Sequence, residues 1–372
     1  MNFDFSDEQH LFRDTLRAYL GGRLPTPEAA GRLSQKEHRV LWSELADLGV
    51  FSILVPETFG GLGLGFVDLV LALQEFGRHL VPTSVLDTLI ATDALVRYGR
   101  LEQQQALLPA IAAGRMRIAV AASEVGGGGD PARMATSISF AGRDGRLSGS
   151  KLMVAAASDA DFLLVAGRNG ALTLIEPSRS GVELRRQSTL DVAAEYHAAE
   201  FHEVGLTERD LLGTSEAATA VTRLQDAAAT SAAAMMTGIS RMMLERVVDY
   251  VKHRVQFGRP VGSFQAIKHR CADMAVSIES SDAASCYAAW ALATDSPEQA
   301  KAVSIAKSYC GDTARTACNE GIQLHGGMGF TWDMGLHFYL RRVKVLEQMA
   351  GDATDHRRRL FAESVREVEV NR

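Results

Sequence analysis

Apolar residues recur at helical spacing through the first third of the chain. Phe5, Leu11, Phe12, Leu16, Tyr19 and Leu20 form one stripe, and Ser6 followed by Gln9 predicts a capping box at its start. Further helices are expected over Val40–Leu48, ended by Gly49, and over Phe66–Phe76 and Leu86–Tyr98. From about Arg117 the grammar changes. Ile118–Ser123, Ser137–Phe140, Phe162–Val165 and Ala171–Ile175 are short apolar or alternating runs, separated by turn signals at 142–145 and 168–170. Helical spacing returns from about Ser215. A long segment from Ala217 to Val255 is dense in Ala, Met and Leu, and two more follow over Gly262–Thr294 and Pro297–Leu324, then a shorter pair. The expected class is α+β multidomain: an N-terminal α-helical domain over 1–116, a middle antiparallel β domain over 117–214, and a C-terminal four-helix bundle over 215–372.

Charge narrows the partners. A net charge of −6 and a pI near 6.0 leave no basic face for phosphates, so no nucleic-acid partner is expected. No apolar run approaches the roughly 20 residues of a membrane span. The start, Met1 to Glu8, is acidic and lacks the regions of a secretion signal, so a cytoplasmic location is expected. Cys271, Cys286, Cys310 and Cys318 fall in helical sequence without a CxxC pair or a histidine-rich neighbourhood; buried free thiols and no metal site are expected.

The most specific text is Arg254-Val-Gln-Phe-Gly-Arg-Pro-Val-Gly-Ser-Phe-Gln265, with Gln323-Leu-His-Gly-Gly-Met-Gly-Phe330 further on. These resemble the R-x-x-F-G-x-x-x-x-x-x-Q and Q-x-x-G-G-x-G-F signatures of acyl-CoA dehydrogenases. The order helices, β domain, helical bundle also resembles that family over nearly the whole chain. The resemblance implies FAD as cofactor, an acyl-CoA substrate in β-oxidation chemistry, an electron-transfer flavoprotein or similar acceptor, and an oligomer. It further implies that Arg254 reaches a neighbouring subunit's FAD pyrophosphate, with Phe257, Gln265, Gln323, Gly326 and Gly327 serving the same nucleotide. The chemistry suits the residue types: arginine meets a pyrophosphate with a forked contact, and glycine admits close backbone approach. Taken singly, Arg254 reads equally well as a surface ion-pair partner, and Gly326-Gly327 as a helix end.

The chain departs from the family in three places. The loop usually written T-E-P-x-x-G-S-D is Ser123-Glu-Val-Gly-Gly-Gly-Gly-Asp130; Ser123 keeps a hydroxyl for the flavin, but Gly129 replaces the serine that holds the pyrophosphate. The loop usually written G-x-K-x-W-I-T is Gly149-Ser-Lys-Leu-Met-Val-Ala155, with Met153 for the aromatic cover and Ala155 for the hydroxyl, leaving only a backbone bond there. The third departure is chemical. Desaturating an acyl thioester needs a carboxylate to take the α-proton, and the family keeps it at one of two positions. Aligning Arg341-Arg-Val-Lys344 with the family's R-x-x-K puts one at Ala350; counting back from Arg254 puts the other at Ala228. Neighbouring carboxylates are Asp352, Glu347 and Asp226, of which Asp352 is best placed by its turn, although each also reads as a solvated or helix-terminal acid.

Three arrangements remain open. One is a subunit of a heteromeric acyl-CoA dehydrogenase that contributes FAD contacts to a partner chain holding the base. Another is a self-sufficient homo-oligomer with a displaced base such as Asp352. The last is a binding or scaffold member of the family without turnover.

Overall fold

The structure, a computed structural model, describes residues 5–126, 130–168, 170–213 and 217–370. Gly129 and the two glycines before it, the turn residue Asn169 and the expected helical start at Ser215 lie outside the described residues.

Six helices come first: α1 (Asp7–Arg23), α2 (Pro27–Gly31), α3 (Gln35–Asp47), α4 (Phe66–Arg78), α5 (Thr83–Tyr98) and α6 (Leu101–Ala112). The Ser6–Gln9 capping box is present, with the Ser6 N–H donating to Gln9 Oε1 at 2.8 Å. Gly49, at φ +79°, closes α3 as its position requires. α3 starts earlier than its apolar spacing suggests because Ser34 and Glu37 form a second capping box ahead of a polar first turn.

The strands are β1 (Ile118–Ala121), β2 (Ser137–Ala141), β3 (Asp144–Ala155), β4 (Phe162–Ala166), β5 (Leu172–Ile175), β6 (Val182–Gln187), β7 (Tyr196–Leu206) and β8 (Leu211–Leu212). They form two sheets, ordered β1-β4-β5-β8 and β2-β3-β7-β6. The expectation of a purely antiparallel domain needs correcting: β1 and β4 pair in parallel, Ile118 opposite Phe162. Between them the chain crosses to the other sheet to make the β2–β3 hairpin, and such a crossover returns the strand in the same direction.

The C-terminal part contains α7 (Ala217–His253), the short hairpin β9 (Val255–Gln256) and β10 (Arg259–Pro260), then α8 (Gln265–Ala293), α9 (Gln299–Leu324), α10 (Leu336–Gln348) and α11 (Ala353–Val370). α9 is central, touching α7, α8, α10 and α11. α4 docks on α7 almost backbone to backbone: a Cβ on Gly77 would sit 1.9 Å from the Met235 carbonyl oxygen, and one on Gly238 1.8 Å from that of Gln74. Cys310 and Cys318 are buried, whereas Cys271 and Cys286 are only half-buried; all four thiols are free. No helix among the described residues is long and apolar enough to cross a membrane.

Two buried arginines tie these parts together. Arg223 of α7 grips Asp93 of α5 through two contacts, at 3.0 and 3.1 Å. Arg342 of α10 is fully buried; it pairs with the buried Asp191, between β6 and β7, and donates to the Val81 carbonyl oxygen at 2.7 Å. Replacing one member of such a pair strands a charge away from water. Arg342→Met is expected to lower the unfolding free energy by about 3–5 kcal/mol, and adding Asp191→Leu to recover most of the loss, as read by denaturant titration.

Candidate active-site cleft

A cleft of about 450 Å³ lies where α5, β1, β3, α7 and the turn after α10 converge. Two loops build its β side. The Leu152 N–H donates to the Ser123 carbonyl oxygen at 2.9 Å, which sets the loops side by side. Beneath them Lys151, wholly buried, donates to Glu124 at 2.6 Å, while Glu124 also accepts the Ala135 and Thr136 N–H groups. Burial pulls the Lys151 ammonium below its ordinary pKa. Ser123 and Met153 line the cleft, Met153 with its backbone in the left-handed region at φ +56°. Ala155 does not. It lies on a second, smaller cavity, and its backbone N–H is turned to the Asp87 carboxyl rather than to a ligand position.

Opposite the β side, Ala228 and Ala350 come together on the cleft wall although one belongs to α7 and the other to the turn after α10. Ala350 sits at φ +54°, unusual for a residue with a Cβ. The turn is held from behind. Lys307, fully buried, donates to the Glu347 and Gly351 carbonyl oxygens at 2.8 and 2.7 Å. His356 lies 3.0 Å from the Ala350 carbonyl oxygen through Nε2 and 3.2 Å from the Ser304 hydroxyl through Nδ1. Desolvation lowers Lys307 to about 7 and His356 to about 3, so the imidazole is neutral, with Nε2–H as donor and Nδ1 as acceptor.

Each carboxylate on the cleft already has a partner. Asp352 caps α11, its Oδ1 accepting the Thr354 and Asp355 N–H groups at 2.8 and 2.9 Å. Asp355 accepts the Asp352 N–H, Asp130 the Ala132 N–H, and Glu124 is paired as above. Glu347 and Asp226 are not on the cleft: Glu347 pairs with Arg315 and Lys344, and Asp226 with Arg359 and Gln299.

The remaining carboxylate, Asp87, was not singled out by its sequence position, although an acid inside the apolar stretch of α5 is a signal of a buried polar role. It lines the cleft and accepts the Val120 N–H at 3.0 Å, stitching α5 to edge strand β1. Burial raises its pKa to about 8. Lys307, His356 and Lys151 were likewise not anticipated.

Arg254, Phe257, Gln265, Gln323, Gly326 and Gly327 lie outside the cleft, and all six are exposed. The β9–β10 hairpin projects Phe257, 92% exposed and at φ +54°, while the Arg254 guanidinium has no partner among the described residues. Gly326, at φ +60°, follows the end of α9, so the helix-end reading of that glycine also holds. The residues expected to meet FAD are thus divided between a cleft bearing Ser123 and Met153 and a separate exposed surface.

Asp87 carries a pH signature. The native state keeps its proton up to about 8, whereas the unfolded chain releases it near the ordinary value of 3.8. Native stability therefore falls as pH rises between those two values. Asp87→Asn, which cannot ionise and still accepts the Val120 N–H, is expected to flatten that decline in melting curves recorded from about pH 5 to about pH 9.

Comparison with known proteins bears on the family and the fold. Residues 6–115 match the acyl-CoA dehydrogenase N-terminal domain and residues 218–365 the acyl-CoA dehydrogenase C-terminal domain. Acyl-CoA dehydrogenase FadE34 of Mycobacterium tuberculosis is 30% identical over 370 residues, covering 96% of this chain; the chain spans 48% of that protein's length. A variant of the steroid ACAD Tcur3481–Tcur3483 superposes with a TM-score of 0.87 at 30% identity, over 96% of this chain and 99% of that one. The ChsE4–ChsE5 complex of Mycobacterium tuberculosis gives a TM-score of 0.88 at 26% identity, over 98% and 99%. With both terminal domains matched and the fold shared end to end, the chain belongs to the acyl-CoA dehydrogenase family.

Proposed function

We propose that this chain is the subunit without a base in a heteromeric, FAD-dependent acyl-CoA dehydrogenase, and that it contributes Arg254, Phe257, Gln265, Gln323, Gly326 and Gly327 to FAD held by a partner chain. The observation that carries the proposal is the pair of methyl groups at 228 and 350 on one cleft wall, with every other carboxylate there already engaged. FAD, when bound, would supply the hydride acceptor for the β-carbon of the acyl group, but an α-proton still needs an acceptor, and an alanine has no lone pair to offer. A self-sufficient enzyme using Asp352 would have to surrender the cap of α11.

The division of the nucleotide set supports the same reading. An aromatic ring held almost fully in solvent on a strained backbone is costly in an isolated chain, and the exposed Arg254 guanidinium, hydrated and unpaired among the described residues, is free to meet an anion. Both are suited to a neighbour's pyrophosphate and adenine. That structural neighbours include two-protein complexes, ChsE4–ChsE5 and Tcur3481–Tcur3483, makes a second acyl-CoA dehydrogenase chain the natural partner. Electrons would leave through an electron-transfer flavoprotein or similar acceptor.

The test is turnover of acyl-CoA esters against an electron-accepting dye, with FAD supplied, for the chain alone and with a co-expressed partner that bears the glutamate. No turnover alone and turnover in the pair is expected. Turnover by the isolated chain, abolished by Asp352→Asn, would instead establish the displaced-base enzyme.

A further inference from the structure

α7 and α9 run side by side in the same direction. The Thr237 hydroxyl lies 3.6 Å from the Cys310 sulfur, and further along a Cβ on Gly321 would sit 2.1 Å from the Met243 sulfur. The two helices end at His253 and Leu324, where the rings of Tyr250 and His325 stack with centroids 4.4 Å apart and planes 27° from parallel. His325 is only 2% exposed. Its Nδ1 lies 2.7 Å from the Gly321 carbonyl oxygen, which can only accept, so Nδ1 carries the proton and the ring is oriented by the last turn of α9.

This pair lies beneath both exposed segments. On one side the Arg254 N–H donates to the Tyr250 carbonyl oxygen at 2.9 Å, carrying the helical pattern one residue past α7. Arg246, Tyr250 and Arg254 then share a helix face at spacings of four, and Arg246 donates to the Met334 carbonyl oxygen at 3.0 Å. On the other side His325 leads directly into Gly326 and Gly327. Neither segment locates itself. Residues 255–260 are all exposed, and a hairpin of two-residue strands has little stability of its own. A Cβ on Gly326 or Gly327 would meet nothing within 4 Å, so the top of that turn is likewise unsupported. The place of each is set from below, by Tyr250 and His325.

We infer that His325 is a positioning residue: stacked on Tyr250, it holds Arg254 and the Gly326–Gly327 turn at one separation, so that the two segments close on the partner's nucleotide as a single clamp. This deepens the proposed lending of FAD contacts and rests on it.

The experiment uses the full chain co-purified with its partner, with assembly followed by sedimentation and the flavin dissociation constant by titration. His325→Ala is expected to weaken flavin binding about three- to tenfold in a pair that stays assembled, the worth of one aromatic stack. Tyr250→Ala removes the half-buried ring instead and is expected to do the same, with the double variant no weaker than either single one. In an Arg254→Ala background, His325→Ala is expected to change the constant by less than about twofold, because the group that it places is gone. An equal loss in both backgrounds marks a merely structural histidine and overturns the inference. If Arg254→Ala alone leaves flavin binding unchanged, the lending reading fails first and the inference falls with it. A second readout needs no flavin. In the isolated chain, His325→Ala is expected to raise amide hydrogen exchange both in the peptides carrying the bonded Arg254 and Val261 amides and in the one carrying Thr331. A rise at Thr331 alone overturns the coupling of the two segments.

Discussion

The guanidinium of Arg342 joins the three stretches of chain whose surfaces meet at the cleft. It rises from α10, takes the carboxylate of Asp191 from the β segment, and donates to the Val81 carbonyl oxygen just before α5. All of this happens out of contact with water, where an unpaired charge is far more expensive than a paired one is favourable. The contact therefore acts as a requirement on assembly: the helical start, the sheets and the bundle must reach one relative position before the charge is satisfied. Arg223 and Asp93 impose a similar condition on α5 and α7. Between them, these pairs fix the walls on which Asp87, Gln225, Ala228 and Ala350 sit.

Within that frame the turn after α10 is unexpectedly well built for a turn that presents a methyl group. Lys307 and His356 take the carbonyl oxygens of Glu347, Ala350 and Gly351, and their interactions hold Ala350 in a backbone conformation that glycine adopts more easily. A carboxylate at the same place would have been carried by the same backbone. Under the proposed function, the side chain at 350 departs from the expected base while the support of the turn is kept, in line with a reaction completed by another polypeptide.

Much of the architecture was legible because it is written in local patterns. The Ser6–Gln9 box, the glycine stop at 49 and the long apolar-and-small segment of α7 each follow from nearest-neighbour chemistry. β6 and β7 were missed because their outward faces carry Glu183, Arg185 and Arg186, or Glu200, His202 and Glu203, which blur the alternation of a strand. The parallel pairing of β1 with β4 depends on a crossover that no short window contains. The site divides in the same way. Motif residues from 254 to 265 and 323 to 330 could be read in order, and so could the two alanines. Asp87, Lys307 and His356 could not, because their significance comes from burial and from partners far away in sequence.

The most direct measurement of the division of labour between two chains is flavin stoichiometry in the co-purified pair after Arg254→Ala in this chain. Loss of flavin from a pair that remains assembled, while the isolated unaltered chain holds none, is the expected result. Full flavin occupancy in the variant pair, or one tightly held flavin in each isolated chain, would contradict it.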